Sequence, residues 1–171
     1  MDLFDCIEST RFLGEEWLIW LWYRSEREEG LFTLSDGSQV EFHFDNQLTL
    51  EAQLAEAERS RLSGGAPSFS TEAKEALRSG KMVSQAKVRL VRDGREWVMS
   101  IVGRSLAISG MKIPAVLTRE EDEKFFERQA LLEEGDALLR GLFEAFLQVR
   151  LDLSAWNEEV DAIRRWTRAG H

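Results

Sequence analysis

The sequence predicts an α+β fold with an N-terminal helix, two antiparallel β-hairpin or meander units separated by a short helix, and a helical C-terminal third. Three observations predict it. The apolar run WLIWLWY at 17–23 fits a helix, Asp36-Gly37 and Asp93-Gly94 each divide alternating segments, and residues after about 118 follow a helical period. With 171 residues we expect a single domain, 1–171, whose helical part is about 118–171.

The first predicted helix covers about 15–28. Gly14 is a permissible N-cap, two glutamates occupy the first turn, and Gly30 is expected to end the helix. Because the seven apolar residues cover every side, we expect this helix to be buried, in the domain's own core or against a partner. The residues assigned to the core are Trp17, Trp20 and Leu21, and those on the opposite flank, at a second packing surface such as a dimer contact, are Trp22 and Leu18.

The first β unit is predicted around Asp36-Gly37, a dipeptide typical of tight hairpin turns. Period-two alternation assigns one side of the first strand to Phe32 and Leu34 and one side of the second strand to Val40, Phe42 and Phe44. The stretch QLTLEA at 47–52 predicts a third strand. A loop at 56–70, rich in serine and glycine, includes a predicted short edge strand at 59–63.

The second β unit is preceded by a short helix in STEAKEALRSGK at 70–81, with Ser70 or Thr71 as its cap and Gly80 after its end. Asp93-Gly94 then predicts a hairpin turn. The stretch SLAISGMKIP predicts one more strand, which ends before Pro114.

The C-terminal third is predicted to be helical. Thr118 is expected to cap a long helix with an acidic first turn, Gly135 to mark a break or kink, and Ser154 to cap the last helix. One apolar face of that last helix consists of Trp156, Val160, Ile163 and Trp166. The last helix is therefore amphipathic, with one side packed and the other exposed to water.

Residue types needed for common catalytic and metal sites are scarce. Cys6, His43 and His171 are too few for a Cys/His zinc site. No nucleophile motif accompanies His43, and the acidic residues at 119–128 follow one another at a helix start, where they compensate the helix dipole. We therefore expect no enzymatic activity, no metal and no cofactor.

The sequence also predicts a cytoplasmic location. The single cysteine, Cys6, excludes an internal disulfide framework, suits a reducing compartment and is interpreted as a small buried hydrophobe. The longest apolar run, 17–23, is far shorter than the roughly 20 residues of a membrane span. The first ten residues also lack the pattern of a signal peptide.

Charge is unevenly distributed along the chain. The net charge is −9, yet residues 78–112 contain eight basic and two acidic residues and carry +6, so the rest carries −15. Within this segment Lys87 and Arg89 alternate with Val88 and Leu90, which places both cations on one face of a strand. Candidate contacts to a phosphate backbone are Lys81, Lys87, Arg89, Arg92 and Arg95. A polar outer sheet face that happens to be basic explains the same pattern.

Several pieces in order resemble the C-terminal half of the recombination-associated protein RdgC family, over roughly residues 13–145. The matching pieces are WYRSE with Trp22, Arg24 and Ser25; GLFTLSDG with Gly30, Phe32, Leu34 and Asp36; TEAKEALRSGKMV with Glu72, Leu77, Gly80, Lys81 and Val83; REWVM; SLAISGMKIP with Ser105, Leu106 and Lys112; and an acidic segment that enters a helix.

The resemblance implies a nucleoid-associated homodimer that closes into a ring around double-stranded DNA, binds it with little sequence preference and restrains the RecA recombinase. In that family positive charge gathers on a DNA-facing surface of an acidic protein. The alternative hypothesis is a protein–protein adaptor or assembly factor that docks through its Trp-rich helix or its C-terminal amphipathic helix.

Overall fold

The computed structural model describes residues 13–52, 59–63 and 71–169. The elements in chain order are α1 (Leu13–Arg27), β1 (Leu31–Thr33), β2 (Gln39–Ala52), β3 (Arg59–Ser63), α2 (Thr71–Arg78), β4 (Lys81–Arg92), β5 (Arg95–Val102), β6 (Ala107–Lys112), α3 (Glu121–Arg150) and α4 (Leu153–Arg168). This is the α+β class that the sequence predicts. None of the helices in the described ranges is long and apolar enough to cross a membrane.

Within the described residues, six antiparallel strands form one sheet in the order β1-β2-β4-β5-β6, and β3 also pairs with β2. The predicted third strand at 47–52 is the second half of β2. An irregularity between Phe44 and Leu48 lets β2 continue along β4, so the chain does not turn back there. The predicted edge strand at 59–63 is confirmed as β3, which pairs with 47–51 of β2.

Both predicted hairpin turns are confirmed. Gly37 has a φ of 80°, and Asp93 and Gly94 have φ values of 51° and 73°. Two successive residues with positive φ are the signature of a type I′ turn, whose twist matches that of paired strands. Arg92 and Arg95 therefore face each other directly across the turn.

The apolar helix α1 is buried in the core of this chain. All residues from 17 to 23 are buried, and those from 17 to 22 form one cluster with inward side chains of β2, β4 and β5. Gly30, with a φ of 82°, donates its N–H to the Ser25 carbonyl and ends the helix as predicted. Gly14 is not the N-cap but lies inside the first turn, where a Cβ would be 2.0 Å from the Gly103 carbonyl oxygen.

Trp22 reaches a second packing surface, and that surface belongs to the same chain. Its ring lies 6.1 Å from the ring of Phe44 and 5.3 Å from that of Trp166 in α4, centroid to centroid. Its indole N–H donates to Glu26. Because Trp22 is fully buried by these neighbours, it offers no surface for the expected dimer contact.

The long helix α3 runs without interruption through Gly135, so the predicted break is wrong. A Cβ at Gly135 would lie 2.7 Å from Cδ1 of Trp97, and the Trp97 indole donates to the Leu131 carbonyl. The glycine therefore makes room for a sheet tryptophan against the helix. Thr118 is not the cap either: Glu120 is the N-cap residue, and the Thr118 hydroxyl donates to Glu123.

The last helix, α4, begins two residues earlier than predicted. Asp152, not Ser154, is the N-cap, because its carboxylate accepts the N–H groups of Ser154 and Ala155 at 3.0 Å. The predicted packed face is confirmed, with all four of its members half-buried: Trp156, Val160, Ile163 and Trp166. The expectations for Cys6, Ser70, His171 and the loop segments 56–58 and 64–70 lie outside the described residues.

We predict that Gly14→Ala destabilises the protein by about 1–3 kcal/mol, because the added methyl group meets the Gly103 backbone, which cannot rotate away. Gly141→Ala is the matched control. Its Cβ would meet the flexible side chain of Leu34, while the helix gains up to about 1 kcal/mol of propensity. Urea unfolding of both variants measures the difference. Equal urea midpoints for the two variants would contradict the close approach of Gly14 to the Gly103 backbone.

Candidate nucleic-acid interface

The candidate interface lies on the sheet face opposite the helices, which we call the outer face. Its central side chains are Glu41, His43 and Asp45 of β2, Lys87, Arg89 and Val91 of β4, and Glu96, Val98 and Ser100 of β5. In β4, Val88 and Leu90 are buried in the core, whereas Lys87 and Arg89 are partly exposed. The predicted alignment of the two cations on one face is therefore confirmed.

Asp45 of β2 binds both aligned cations. Its carboxylate oxygens lie 3.2 Å from the Lys87 ammonium and 3.3 Å from the Arg89 guanidinium. The Lys87 ammonium also donates to the Asn46 side chain, and Arg89 lies 3.5 Å from Glu96 across the hairpin. The two cations thus form the centre of a small ion-pair network, and any phosphate that reaches them has to compete with two carboxylates.

This network sets the protonation of Asp45. Partial burial alone would raise the pKa of its carboxyl, but the hydrogen bond and charge of Lys87 and the charge of Arg89 outweigh it and lower the pKa below its ordinary value. Asp45 is therefore ionised throughout the physiological range and acts as a permanent counter-ion.

The other three predicted residues lie at the two ends of β4. Arg92 is 3.7 Å from Asp93 at the hairpin turn. Arg95 makes two 2.7 Å hydrogen bonds to Glu134 of α3 and lies over the Trp97 ring. Lys81 begins β4 opposite Ala52, about 27 Å along the strand from Arg89. The structure therefore brings Lys87 and Arg89 together on the outer face. Arg92 and Arg95, paired across the turn, lie on the side of the inward-facing Leu90 and Trp97, where Arg95 links the hairpin to α3.

The sequence reasoning missed the acidic partners. The pairing of Glu96 with Arg89 could have been predicted from the hairpin, because Glu96 lies beyond the turn and diagonally across from Arg89. Asp45 and Glu134 come from a different strand and from a distant helix, so only the tertiary structure places them. His43 also lies on the outer face, 3.6 Å from Glu41. In the described part of the chain, no group of three or more His, Cys, Asp or Glu residues is arranged to hold a metal ion.

Neither the family models nor the curated proteins contain a match to this chain.

We predict that the pKa of Asp45 lies below the ordinary aspartate value and rises in Lys87→Gln, which removes a hydrogen bond and a charge from the carboxylate. A pH titration of the Asp45 carboxyl carbon by NMR measures both values. Lys112→Gln, a cation on the edge strand β6, is the control and should leave the titration unchanged. An ordinary pKa for Asp45 in the wild-type protein would contradict the ion-pair network.

The same network has a consequence for stability. Because folding lowers the pKa of Asp45, its ion pairs stabilise the folded state above the ordinary aspartate pKa, and this contribution disappears as the pH falls through the lowered value. We therefore expect Asp45→Asn to be less stable than wild type at neutral pH and to lose less stability on acidification.

Proposed function

We propose that this chain is a non-enzymatic, DNA-associated protein that contacts the phosphate backbone of double-stranded DNA with little sequence preference. The observation that carries the proposal is the pair Lys87 and Arg89 on the outer face, two residues apart on one strand. Basic side chains at this spacing can follow a phosphate backbone without reading bases.

The ion pairs of the outer face determine how such binding would behave. Asp45 and Glu96 orient the two cations in the free protein, and phosphates replace these carboxylates when DNA binds. The remaining acidic surface repels DNA, because the whole chain carries −9. Binding is therefore weakened steeply by salt and limited to the surface where the cations point outward.

The resemblance to the RdgC family supports the same proposal. Its pieces fall on successive elements: WYRSE ends α1, TEAKEALRSGKMV forms α2 and the start of β4, and SLAISGMKIP includes β6. On this basis we further propose a homodimer located at the nucleoid that modulates recombination proteins such as RecA. Sedimentation in solution tests the dimer directly, since a mass of 19.7 kDa is expected of a monomer.

We predict that Lys87→Gln combined with Arg89→Gln weakens binding to unrelated duplex sequences alike and lowers the slope of log K against log salt by about 2, roughly 0.9 per lost contact. Asp45→Asn should have the opposite effect on affinity at low salt, because it removes the competing carboxylate. An electrophoretic mobility-shift series over salt concentration measures both.

The matched control is Arg119→Gln with Arg128→Gln, which removes the same charge from exposed residues before and within α3. It should change affinity little. Unchanged affinity and slope in the Lys87/Arg89 variant would overturn the site assignment, and no retention of DNA by the wild-type protein at about 50 mM salt would overturn the DNA proposal itself.

A second candidate function, a protein–protein adaptor, is favoured by one surface. The Trp-rich helix and the apolar face of α4 are packed within the domain, so a partner would need another surface. Phe125 and Phe126 near the start of α3 provide one: they are 65% and 67% exposed and in edge-to-face contact. Leu132, seven residues after Phe125, extends the same face.

The partner that suits this surface is a basic amphipathic segment. The aromatic pair is flanked by exposed acidic residues, Glu121, Asp122 and Glu133, so an apolar face bordered by lysine or arginine would complement it in both shape and charge.

We predict that a model amphipathic Leu/Lys helical peptide binds the wild-type protein and that Phe125→Ser with Phe126→Ser abolishes this binding, measured by calorimetric titration. Leu151→Ser with Leu153→Ser is the control, because these leucines form another strongly exposed apolar pair, at the junction of α3 and α4. Equal binding of the peptide by all three proteins would contradict the adaptor surface.

A further inference from the structure

The C-terminal turn of α4 carries a cluster of arginines, Arg164, Arg165 and Arg168, all of them exposed. They lie within one helical turn of one another and point away from the packed face of Trp156, Ile163 and Trp166. Arg164 pairs with Asp161 at 3.3 Å. No carboxylate in the described ranges forms an ion pair with Arg165 or Arg168, in contrast to the cations at the centre of the outer face.

Contacts with α2 place this cluster beside the start of β4. The Arg78 guanidinium at the end of α2 donates to the Thr167 carbonyl of α4. Only two residues follow Arg78 before β4 begins at Lys81, and Gly80, with a φ of 86°, reverses the chain between them. The end of α4 therefore adjoins the end of β4 that is remote from the hairpin turn.

The position of α4 is held firmly at this end. The Trp166 indole donates to Glu26 at 2.7 Å, Lys74 lies 5.0 Å from the Trp166 ring centroid, and the same lysine pairs with Glu26. These contacts join α1, α2 and α4, so the arginines of the last turn are presented on a fixed support.

Compensation of the helix dipole does not account for the whole cluster. One or two cations near a helix C-terminus are common for that reason. Here Arg78 already contacts the Thr167 carbonyl from outside the helix, and the Ala169 N–H donates to the Arg165 carbonyl. Three further arginines, of which two have no carboxylate partner in the described residues, exceed what the dipole requires.

We infer that the DNA-contacting surface continues from β4 around the end of the sheet onto the last turn of α4, where Arg164, Arg165 and Arg168 contact phosphates. This inference rests on the proposed function and extends its site. The strand from Arg89 to Lys81 spans about 27 Å, less than the roughly 34 Å of one turn of duplex. Because α4 packs on the helix side of the sheet whereas Lys87 and Arg89 lie on the outer face, a duplex that contacts both sites bends around the end of the sheet, and the α4 arginines meet phosphates about one turn away from those at Lys87 and Arg89.

The test compares two triple variants on two duplexes. Arg164→Gln/Arg165→Gln/Arg168→Gln should lower the salt slope on a duplex of about 24 base pairs by about 2.7, roughly 0.9 per lost contact, and should match wild type on a duplex of about 8 base pairs. Arg119→Gln/Arg128→Gln/Arg140→Gln removes the same charge from the α3 side and should match wild type on both duplexes.

The outcomes separate the inference from the proposed function. If the Lys87/Arg89 variant loses affinity while the α4 triple variant retains the wild-type slope on the longer duplex, the inference fails and the proposed function stands. An equal effect of the α3 triple variant would also overturn the inference, because it would reveal a general charge effect. If wild-type protein binds neither duplex at low salt, both fail.

A second variant distinguishes an effect on DNA binding from an effect on folding. Arg165→Gln/Arg168→Gln leaves the Arg164–Asp161 pair and every contact of Trp166 in place, and it should lower the slope on the longer duplex by about 1.8. An unchanged thermal midpoint identifies the effect as one on binding. A wild-type slope in this variant would overturn the assignment of Arg165 and Arg168.

Discussion

Burial of a tryptophan-rich helix is the constraint on which the rest of this structure depends. An indole ring in a core usually finds an acceptor for its N–H; the Trp17 indole has none among the described residues, but two glutamates supply acceptors for three other indoles. Glu159 of α4 accepts from Trp20, and Glu26 of α1 accepts from both Trp22 and Trp166. The bonds of Trp20 and Trp166 join α1 to α4. The bond of Trp22 fixes an indole ring that packs against Trp166. Folding of the helical third onto α1 therefore follows from the need to satisfy these indoles as much as from burial of their apolar rings.

This packing determines where the molecule can act. With the helices gathered on one face of the sheet, the aromatic side chains of α1 are used internally and are not available to stack on bases or to dock on a partner. The outer face keeps its polar side chains in solvent, with Lys87 and Arg89 at its centre. The long helix α3 is buried only from Leu131 onward, so its first turns present Phe125 and Phe126 to solvent.

Long-range ion pairs reduce the positive charge that the basic segment presents to a ligand. By sequence, residues 78–112 carry +6. In the fold, Asp45 binds two of its cations and Glu134 binds Arg95 with both oxygens. At the end of α4, Arg165 and Arg168 form no ion pair with a carboxylate in the part of the chain that the structure describes, whereas Arg164 pairs with Asp161. In an acidic protein, the balance of positive and negative charge on each surface decides where a polyanion binds. The net charge summed along a segment of the sequence does not.

The local elements of this protein can be read from its sequence because short-range physics decides them: the Asp-Gly turns require positive φ, alternation places Val88 and Leu90 inward, and an all-apolar helix has to be buried. Other features depend on residues far apart in the chain. Gly135 was expected to mark a break or kink in a helix, yet the helix continues through it and the glycine accommodates Trp97 from the sheet. The aligned pair of the candidate site was predictable, but its counter-ion Asp45 and the arginines beside β4 were not, because strand register and helix docking place them there. Spacing along the chain specifies which way a side chain points, and only the packed structure decides what it meets.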